Sequence, residues 1–375
     1  MRRAIILVVC VTFLALFCGP CRAAEVQQED PGPLFPVLQK GKWGYIDTTG
    51  KVVIEPQFAE VMPKTTFNVF ALLNIGYMFE PQWPPIEGLP EGLAPVLDST
   101  SGDKWGYIDK TGSLVIKPQF DRAYGFSEGL AVVRMGKQFG FIDKQGQVVI
   151  KPQFDHAIGF SDGLARVTVD KKDGFIDTKG NLVIKPQFAA ALWFSEGLAS
   201  VHVGEWKKDK SGRMESKFGY VDKTGKVVIE PRFALARHFS EGLAAVLLDR
   251  EGWGYVDRTG NLVILPRFFE ASWFSEGLAP VNTNEDPKKS TWGYIDRTGF
   301  MVIAPHFDDA GGFAEGLAPV QVGGKWGYID KTGSTAIAPQ FDGAESFSQG
   351  LASVTRARKK GYIDKTGKHV WEPQG

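Results

Sequence analysis

Hydrophobic and polar residues alternate along most of this chain in short runs that end at Gly or Pro. In one representative stretch, the runs cover residues 130–135, 139–143 and 148–152, with turn residues between them. Alternation with a period of two is typical of β-strands, and short connections that contain Gly favour antiparallel hairpins. The pattern therefore predicts an all-β protein whose unit is a meander of three antiparallel strands.

The unit returns nine times with a basic period of 34 residues. A core of Gly, an aromatic residue, Ile or Val, and Asp places its Gly at Gly44, Gly106, Gly140, Gly174, Gly219, Gly254, Gly293, Gly327 and Gly361. From the second unit to the eighth, a Phe-Ser-Glu-Gly-Leu-Ala segment, with small variations, follows at constant spacing. Units of this length bury their apolar faces against neighbouring units, so we expect a stacked array.

Two architectures fit such an array. We expect an open, superhelical, solenoid-like tandem array of three-stranded meanders over residues 34–375, with insertions at 61–90, 204–217 and 282–291. The alternative is a closed β-propeller. Nine units exceed the typical range of about four to eight blades, and 34 residues are few for a four-stranded blade. No strand is left over at either terminus to close a ring.

The residues that recur in every unit are interpreted as structural. The core Asp is followed by Gly three residues later, as in Asp330 and Gly333. Asp at the first position of a turn accepts local backbone N–H groups, and Gly supplies a positive φ. Trp105 and Tyr107 share one face of a strand and are expected to pack against a neighbouring unit. Nine acids spread over nine units do not form one active site.

The pattern W-G-Y-I-D-x-T-G-x-x-V-I-x-P-x-F-D, seen at residues 105–121 and 326–342, resembles the WG-containing repeat, also called the KWG repeat, of bacterial proteins. The resemblance covers the chain from Gly41 onward. It implies a β-stranded repeat with a binding or scaffolding role and no particular activity. Four units depart from the pattern at the Trp position, with Phe139, Asp173, Phe218 and Lys360.

The N-terminus predicts export. Arg2 and Arg3 precede an apolar run that ends near Phe17, and small residues follow before Glu25, which is typical of a secretory signal peptide over residues 1–23. An uncleaved membrane anchor is the alternative. The three cysteines, Cys10, Cys18 and Cys21, all lie in this segment, so a periplasmic or extracellular mature chain has no disulfides. Its 40 basic and 43 acidic residues give no reason to expect binding to nucleic acid or membrane.

No enzyme signature stands out. The five histidines lack metal-ligand spacing, and neither a phosphate-binding loop nor a nucleophile motif occurs, so no cofactor or metal is predicted. We therefore predict a non-enzymatic scaffold. The alternative is a hydrolase of envelope carbohydrate, which needs two carboxylates at a cleft, such as Glu285 and Asp286 with another acid.

Function is expected at the positions that vary between units. Two free positions precede the Phe of each Phe-Ser-Glu-Gly segment, and the insertions vary as well. The candidate partner-binding residues are Tyr124, Trp193, Arg237, His238 and Trp273 at the free positions, with Trp83 and Trp206 in insertions. Exposed aromatic residues with a cation between them can stack on a ligand. We predict an exported monomer that binds a protein or a cell-envelope glycan.

Overall fold

The computed structural model describes residues 30–61, 90–204, 217–248, 251–284, 286 and 291–374. Residues Pro31–Gly375 form one compact unit, built from nine small antiparallel sheets, which are called blades 1 to 9 in chain order. The predicted signal peptide and most of the three insertions lie outside the described residues. Among the described residues, no helix is long and apolar enough to cross a membrane.

The strands follow one another in sequence within each blade. Blade 1 holds β1 (Phe35–Gln39), β2 (Lys42–Ile46) and β3 (Val52–Phe58), and blade 2 holds β4 (Leu93–Asp98), β5 (Lys104–Asp109) and β6 (Leu114–Phe120). Two short 3-10 turns, Pro90–Gly92 and Ser99–Ser101, flank β4. Blade 3 holds β7 (Arg122–Ser127), β8 (Leu130–Met135), β9 (Gln138–Ile142) and β10 (Val148–Phe154). Blade 4 holds β11 (His156–Ser161), β12 (Leu164–Val169), β13 (Lys172–Ile176) and β14 (Leu182–Phe188).

The remaining blades repeat this order with a shorter first strand. Blade 5 holds β15 (Ala190–Ala191), β16 (Leu198–Val203), β17 (Lys217–Asp222) and β18 (Val227–Phe233). Blade 6 holds β19 (Leu235–Ala236), β20 (Leu243–Leu248), β21 (Gly252–Asp257) and β22 (Leu262–Phe268). Blade 7 holds β23 (Glu270–Ala271), β24 (Leu278–Asn282), β25 (Trp292–Asp296) and β26 (Met301–Phe307). Blade 8 holds β27 (Asp309–Ala310), β28 (Leu317–Val322), β29 (Lys325–Asp330) and β30 (Thr335–Phe341), and blade 9 holds β31 (Gly343–Ala344), β32 (Leu351–Arg356), β33 (Lys359–Asp364) and β34 (His369–Gln374).

The all-β prediction is confirmed, but the three-stranded unit is incomplete. A fourth strand precedes the predicted three and pairs with the next strand, as Ala123 of β7 does with Val133 of β8. In blades 5 to 9 this first strand is two residues long, which is too short for a period-two pattern to reveal. In blades 1 and 2, the described residues contain three strands each.

The nine blades close into a ring, so the expected open array is wrong and the alternative, a β-propeller, is correct. Phe35 and Val37 of β1 share one core with Leu351 and Tyr362 of blade 9. The rings of Phe35 and Tyr362 lie 5.4 Å apart, and the Tyr362 hydroxyl donates to the Pro36 carbonyl at 2.9 Å. No shared strand is needed, because side-chain packing and this hydrogen bond join the first blade to the last.

The same kind of contact joins the other blades. The Tyr220 hydroxyl of blade 5 donates to the Arg237 carbonyl of blade 6 at 2.7 Å, and the ring of Tyr220 is fully buried. Equivalent bonds to the next blade start from Tyr107, Tyr255, Tyr294 and Tyr328. The predicted packing of the recurring Tyr against the neighbouring unit is therefore confirmed. We call each such junction a seam.

The Ser-Glu-Gly turns form a second set of contacts across the seams. Glu196 and Gly197 both have positive φ, 53° and 80°, as the two central residues of a type I′ hairpin require. The Glu196 carboxylate then accepts the Gly242 N–H of blade 6 at 3.0 Å. The same contact to the next blade is made by Glu91, Glu128, Asp162, Glu241, Glu276 and Glu315. The constant spacing of these segments was visible in the sequence, but their link to the next blade was not.

The Gly of the Trp-Gly pair is required by a close approach of two strands. A Cβ at Gly327 would lie 2.5 Å from the Ile337 carbonyl oxygen and 2.6 Å from the Pro339 nitrogen. The Pro sits where the fourth strand bulges against the third, and it needs no hydrogen-bond partner for an N–H there. This contact explains why Gly and Pro recur at constant spacing.

The Asp residues cap turns, as predicted. The Oδ1 atom of Asp330 accepts the N–H groups of Thr332 at 2.9 Å and Ser334 at 3.0 Å, and the Gly333 N–H donates to the Asp330 carbonyl. Gly333 has a φ of 84°, and a Cβ there would lie 3.0 Å from Ile303 of the preceding blade. The turn therefore also seats one blade on another.

The first strands lie on the inner side of the ring. Cα atoms of β7 and β11, the first strands of blades 3 and 4, approach within 8 Å of each other. Packed sheets are normally about 10 Å apart, so the blades converge at these strands. Residues at the variable positions of the first strands are thus brought close to their counterparts in the next blade.

Candidate functional site

Three of the predicted binding residues come together in one stack. Trp193, His238 and Trp273 occupy the same position in blades 5, 6 and 7, immediately before the buried Phe of each Phe-Ser-Glu-Gly segment. The ring centroids of Trp193 and His238 are 5.1 Å apart, and those of His238 and Trp273 are 5.3 Å apart. All three side chains are half-buried. We call this stack the aromatic ladder.

The local backbone positions each ring of the ladder, which we call a rung. After the two residues of β15, the Leu192 N–H still donates to the Ser200 carbonyl, and Ser195 then pairs with Leu198 at the hairpin. Phe194 turns into the blade and lies 4.7 Å from the ring of Phe175. Neighbouring residues of an extended segment point to opposite sides, so Trp193 faces away from this core.

The ladder is uncharged at neutral pH. Burial lowers the pKa of His238 to about 4, and the nearby positive charge of Arg237 acts in the same direction. The imidazole between the two indoles is therefore a neutral ring above about pH 5. The ladder presents aromatic surface and not a cation.

The expected exposure of Arg237 is wrong. Its side chain is 9% exposed and lies over the ring of Trp253, with 5.1 Å from the guanidinium carbon to the ring centroid. Its Nη2 is 3.6 Å from Oε1 of Glu270 in blade 7. Burial lowers the pKa of Arg237, and the Glu270 carboxylate opposes that shift. Arg237 and His238 are neighbours in the segment that follows β19, so their side chains point to opposite sides: Arg237 enters the seam and His238 stays at the surface.

The other candidates are not part of the ladder. Tyr124 lies in blade 3, half-buried against the core of that blade, two blades away from Trp193. Burial raises the pKa of its hydroxyl. Trp83 and Trp206 lie outside the described residues, so their predicted role stays a prediction.

The two ends of the ladder differ. Beyond Trp193, the equivalent position in blade 4 is Gly159, which is buried; beyond Trp273, it is Gly312 in blade 8, which is half-exposed. A Cβ added at Gly312 would lie 3.9 Å from Nε1 of Trp273 and 3.7 Å from the Cβ of Ser275, both ordinary contact distances. A Cβ therefore fits at Gly312, and blade 8 contributes no side chain at the position where a fourth rung would stand. Sequence reasoning did not single out Gly312, although the alternation of large rings and Gly at this position was visible.

A family model described as the WG containing repeat matches eight segments, residues 43–63, 105–138, 139–172, 174–205, 218–250, 253–285, 292–326 and 326–356. These segments span more than half of the chain. The chain belongs to the WG-containing repeat family. The resemblance noted from the repeated Trp-Gly-Tyr-Ile-Asp pattern is thereby confirmed. Between blades 3 and 9, each matched segment covers the third and fourth strands of one blade followed by the first and second strands of the next.

Solved structures share the architecture of this WG-repeat ring. A structure described as the eukaryotic initiation factor aligns with a TM-score of 0.58 and 13% identity, over 90% of this chain and 94% of that chain. The computationally designed Ika8 protein gives 0.43 with 11% identity over 67% and 86%, and BamB from Moraxella catarrhalis gives 0.41 with 11% identity over 74% and 87%. At such identities the first alignment supports the fold alone, and the two lower scores add no argument. No curated protein matches the chain.

Metal-ligating groups and buried acids can be located in the part of the chain that the structure describes. It contains no group of three His, Cys, Asp or Glu side chains that could hold a metal ion. Burial raises the pKa of Glu270 and of Asp309, as in many acid catalysts. Both carboxylates have structural partners, however: Arg237 for Glu270, and the Ala310 N–H for Asp309 at 2.8 Å. Of the two acids predicted for a hydrolase, Glu285 lies outside the described residues and Asp286 is in the same insertion.

Proposed function

We propose that this WG-repeat propeller is an exported, non-enzymatic binding scaffold that holds its partner at the aromatic ladder. The observation that supports this proposal is that constant and variable positions of the unit have different surroundings. The constant residues form the seams and turns, whereas Trp193, His238 and Trp273 are variable positions that carry large, half-buried rings. No seam contact described above depends on those three side chains.

The chemistry of the ladder suits binding. Trp is among the residues that contribute most to affinity at protein interfaces, because it brings a large rigid surface at low entropic cost. Three adjoining rings on a rigid ring of blades are also preorganised, which lowers the ordering cost of association. A protein or a cell-envelope glycan could use such a surface, and the hydrolase alternative has no comparable observation in its favour.

The test is partner capture by the full secreted chain. We expect immobilised protein to retain a specific component of a cell-envelope extract, and the double variant Trp193→Ala/Trp273→Ala to lose it. The matched control is Phe300→Ala, which removes an aromatic ring that is 69% exposed on blade 7, outside the ladder. Capture that is equal in the ladder variant, or lost equally in the control, contradicts the proposal.

Export is tested separately. We expect the chain recovered from the periplasm or the medium to begin near Ala24, with the Arg2 and Arg3 segment removed. N-terminal sequencing of the recovered protein measures this directly. An intact N-terminus in a membrane fraction favours the anchored alternative.

A further inference from the structure

The open end of the ladder has the shape of a binding subsite. We infer that the space above Gly312, next to Trp273, takes one ring of a neutral saccharide, which stacks as the fourth rung. This inference rests on the proposed function, because it assigns a ligand class to the same ladder. It goes further by naming one place and one chemistry.

The first argument is the geometry of the missing rung. Rings at this position follow one another at 5.1 and 5.3 Å from blade 5 to blade 7. Blade 8 continues the series in its backbone, because the nearest side-chain atoms to a Cβ at Gly312 belong to Ser275 and Trp273 of blade 7. Gly312 supplies no side chain of its own. The protein therefore adds no ring next to Trp273 from this position, and a ligand ring is inferred to take its place.

The second argument is the polar rim of this space. Nε1 of Trp273 is an N–H donor next to the Gly312 position. On the far side, the Ser346 hydroxyl of blade 9 reaches the Gly312 carbonyl at 3.3 Å. The neighbouring Glu345 has a side chain that is 55% exposed. An aromatic face with donors and acceptors at its edge matches a pyranose ring, whose C–H face is apolar and whose hydroxyls point outward.

The third argument concerns charge. Glu345 is paired with Lys360, whose Nζ lies 3.4 Å from the Glu345 carboxylate. Arg237 is buried in the seam with Glu270, away from the ladder surface. Glu345 and Arg237 thus each face an opposite charge, which favours an uncharged ligand over an anionic or cationic one.

The experiment measures binding of defined soluble sugars to the full secreted chain. The probes are the hexasaccharides of β-1,4-linked N-acetylglucosamine, β-1,4-linked glucose and α-1,4-linked glucose. Their binding is measured by calorimetry and by the change in tryptophan fluorescence. Indole is the probe for an aromatic ligand. We expect at least one hexasaccharide to bind and indole to bind more weakly than that sugar.

The decisive variant is Gly312→Trp, which places a ring of the protein in the fourth rung. We expect it to weaken sugar binding about tenfold or more, as Trp273→Ala should, since loss of one stacking contact and its hydrogen bond is worth about 1.4 kcal/mol or more. Gly312→Ala is the matched control, because its Cβ fits at ordinary contact distances and should change the affinity less than about threefold. Circular dichroism and thermal unfolding establish that each variant is folded.

Several outcomes overturn the inference. They are the absence of binding by all three sugars, equal sugar binding by Gly312→Trp and the unaltered chain, and tighter binding of indole than of any sugar. The proposed function has a separate readout. Envelope capture that depends on Trp193 and Trp273 but survives Gly312→Trp would keep the ladder as a binding site and remove the saccharide subsite.

Discussion

The seams and the aromatic ladder use aromatic residues in opposite ways, although both lie between neighbouring blades. In the seams, Tyr220 and Trp253 are almost fully buried, and similar aromatic contacts recur from one seam to the next. In the ladder, Trp193 and Trp273 are half-buried, and among the described residues only blades 5, 6 and 7 carry a ring at this position. Burial in every unit indicates a role in the fold, whereas a half-exposed ring in a few units is free to serve binding.

The largest expected difference between the two regions is in stability after loss of a Trp. Trp253→Ala empties a site that is 1% exposed and removes the surface under Arg237, so we expect it to lower the free energy of unfolding by about 3–5 kcal/mol. Trp273→Ala should cost about 1 kcal/mol, because its side chain is already partly exposed to water and loses less apolar burial. Urea unfolding of both variants measures the contrast. Equal losses would show that the ladder is part of the structural core.

Acidification should destabilise both regions through one histidine each. Burial lowers the pKa of His202, in the core of blade 5, and of His238, in the ladder, to about 4. The unfolded chain binds these protons at the ordinary pKa of 6.5, so it gains them first as the pH falls. Stability is therefore lost between about pH 6.5 and pH 4, by roughly 3 kcal/mol for each histidine.

The measurement is urea unfolding at pH 7, 5.5 and 4.5 for the unaltered chain, His202→Gln and His238→Gln. Each variant should show a smaller loss over this interval, since it has one proton fewer to bind on unfolding. The carboxylates whose pKa values are lowered by turn hydrogen bonds, such as Asp330, titrate below this window. Unchanged pH dependence in both variants would exclude the two histidines as the cause.

Much of the fold could be predicted from the sequence, because comparison of the nine units with one another shows which residues and spacings are constant. The recurring Asp and Gly specify a turn through local backbone contacts, and local contacts are readable from local sequence. Ring closure was not readable in this way. It depends on the angle between neighbouring blades, which accumulates from many small packing contacts, and on a hydrogen bond between Tyr362 and Pro36 that lie 326 residues apart.

The candidate site was readable residue by residue but not as an arrangement. Variation between units indicated Trp193, His238 and Trp273 as candidates, because exposure tolerates change. Their stacking follows from the convergence of the first strands toward the axis, which an open array would not produce. The burial of Arg237 was not predicted for the same reason: the packing of blade 6 against blade 7 decides which side chain after β19 enters the seam.

A smaller difference in stability is expected between substitutions at two glycines, Gly327 of a Trp-Gly pair and Gly312 next to the ladder. Gly327→Ala places a Cβ 2.5 Å from the Ile337 carbonyl oxygen, so two paired strands must separate. We expect a loss of about 2–3 kcal/mol. Gly312→Ala, with its nearest contact at 3.7 Å, should leave stability within about 0.5 kcal/mol. Thermal unfolding of the pair provides the comparison, and a large loss in both would mean that the fourth rung is not open.

The smallest expected effect on stability distinguishes the closing seam, between blades 9 and 1, from a seam inside the ring. Tyr362→Phe removes the hydroxyl that donates to the Pro36 carbonyl, and Tyr328→Phe removes the hydroxyl that donates to the Glu345 carbonyl. Each change leaves a carbonyl without that donor, which costs about 1–2 kcal/mol. The two should differ in where the ring opens. Blade 9 carries Gln349 at the turn position where the Glu of other blades accepts the next Gly N–H, so the closing seam lacks that carboxylate.

We therefore expect Tyr362→Phe to speed amide hydrogen exchange in β1 and β33 while the middle blades keep their protection. Tyr328→Phe should lower the global stability by a similar amount without raising exchange in any single blade above that in the rest. Exchange detected by mass spectrometry, peptide by peptide, separates local from global opening. Equal protection of β1 in the two variants would show that the closing seam is no weaker than the others. Local opening at β1 would instead place the weakest junction of the ring between blades 9 and 1, two blades away from Trp273, the nearest rung of the ladder.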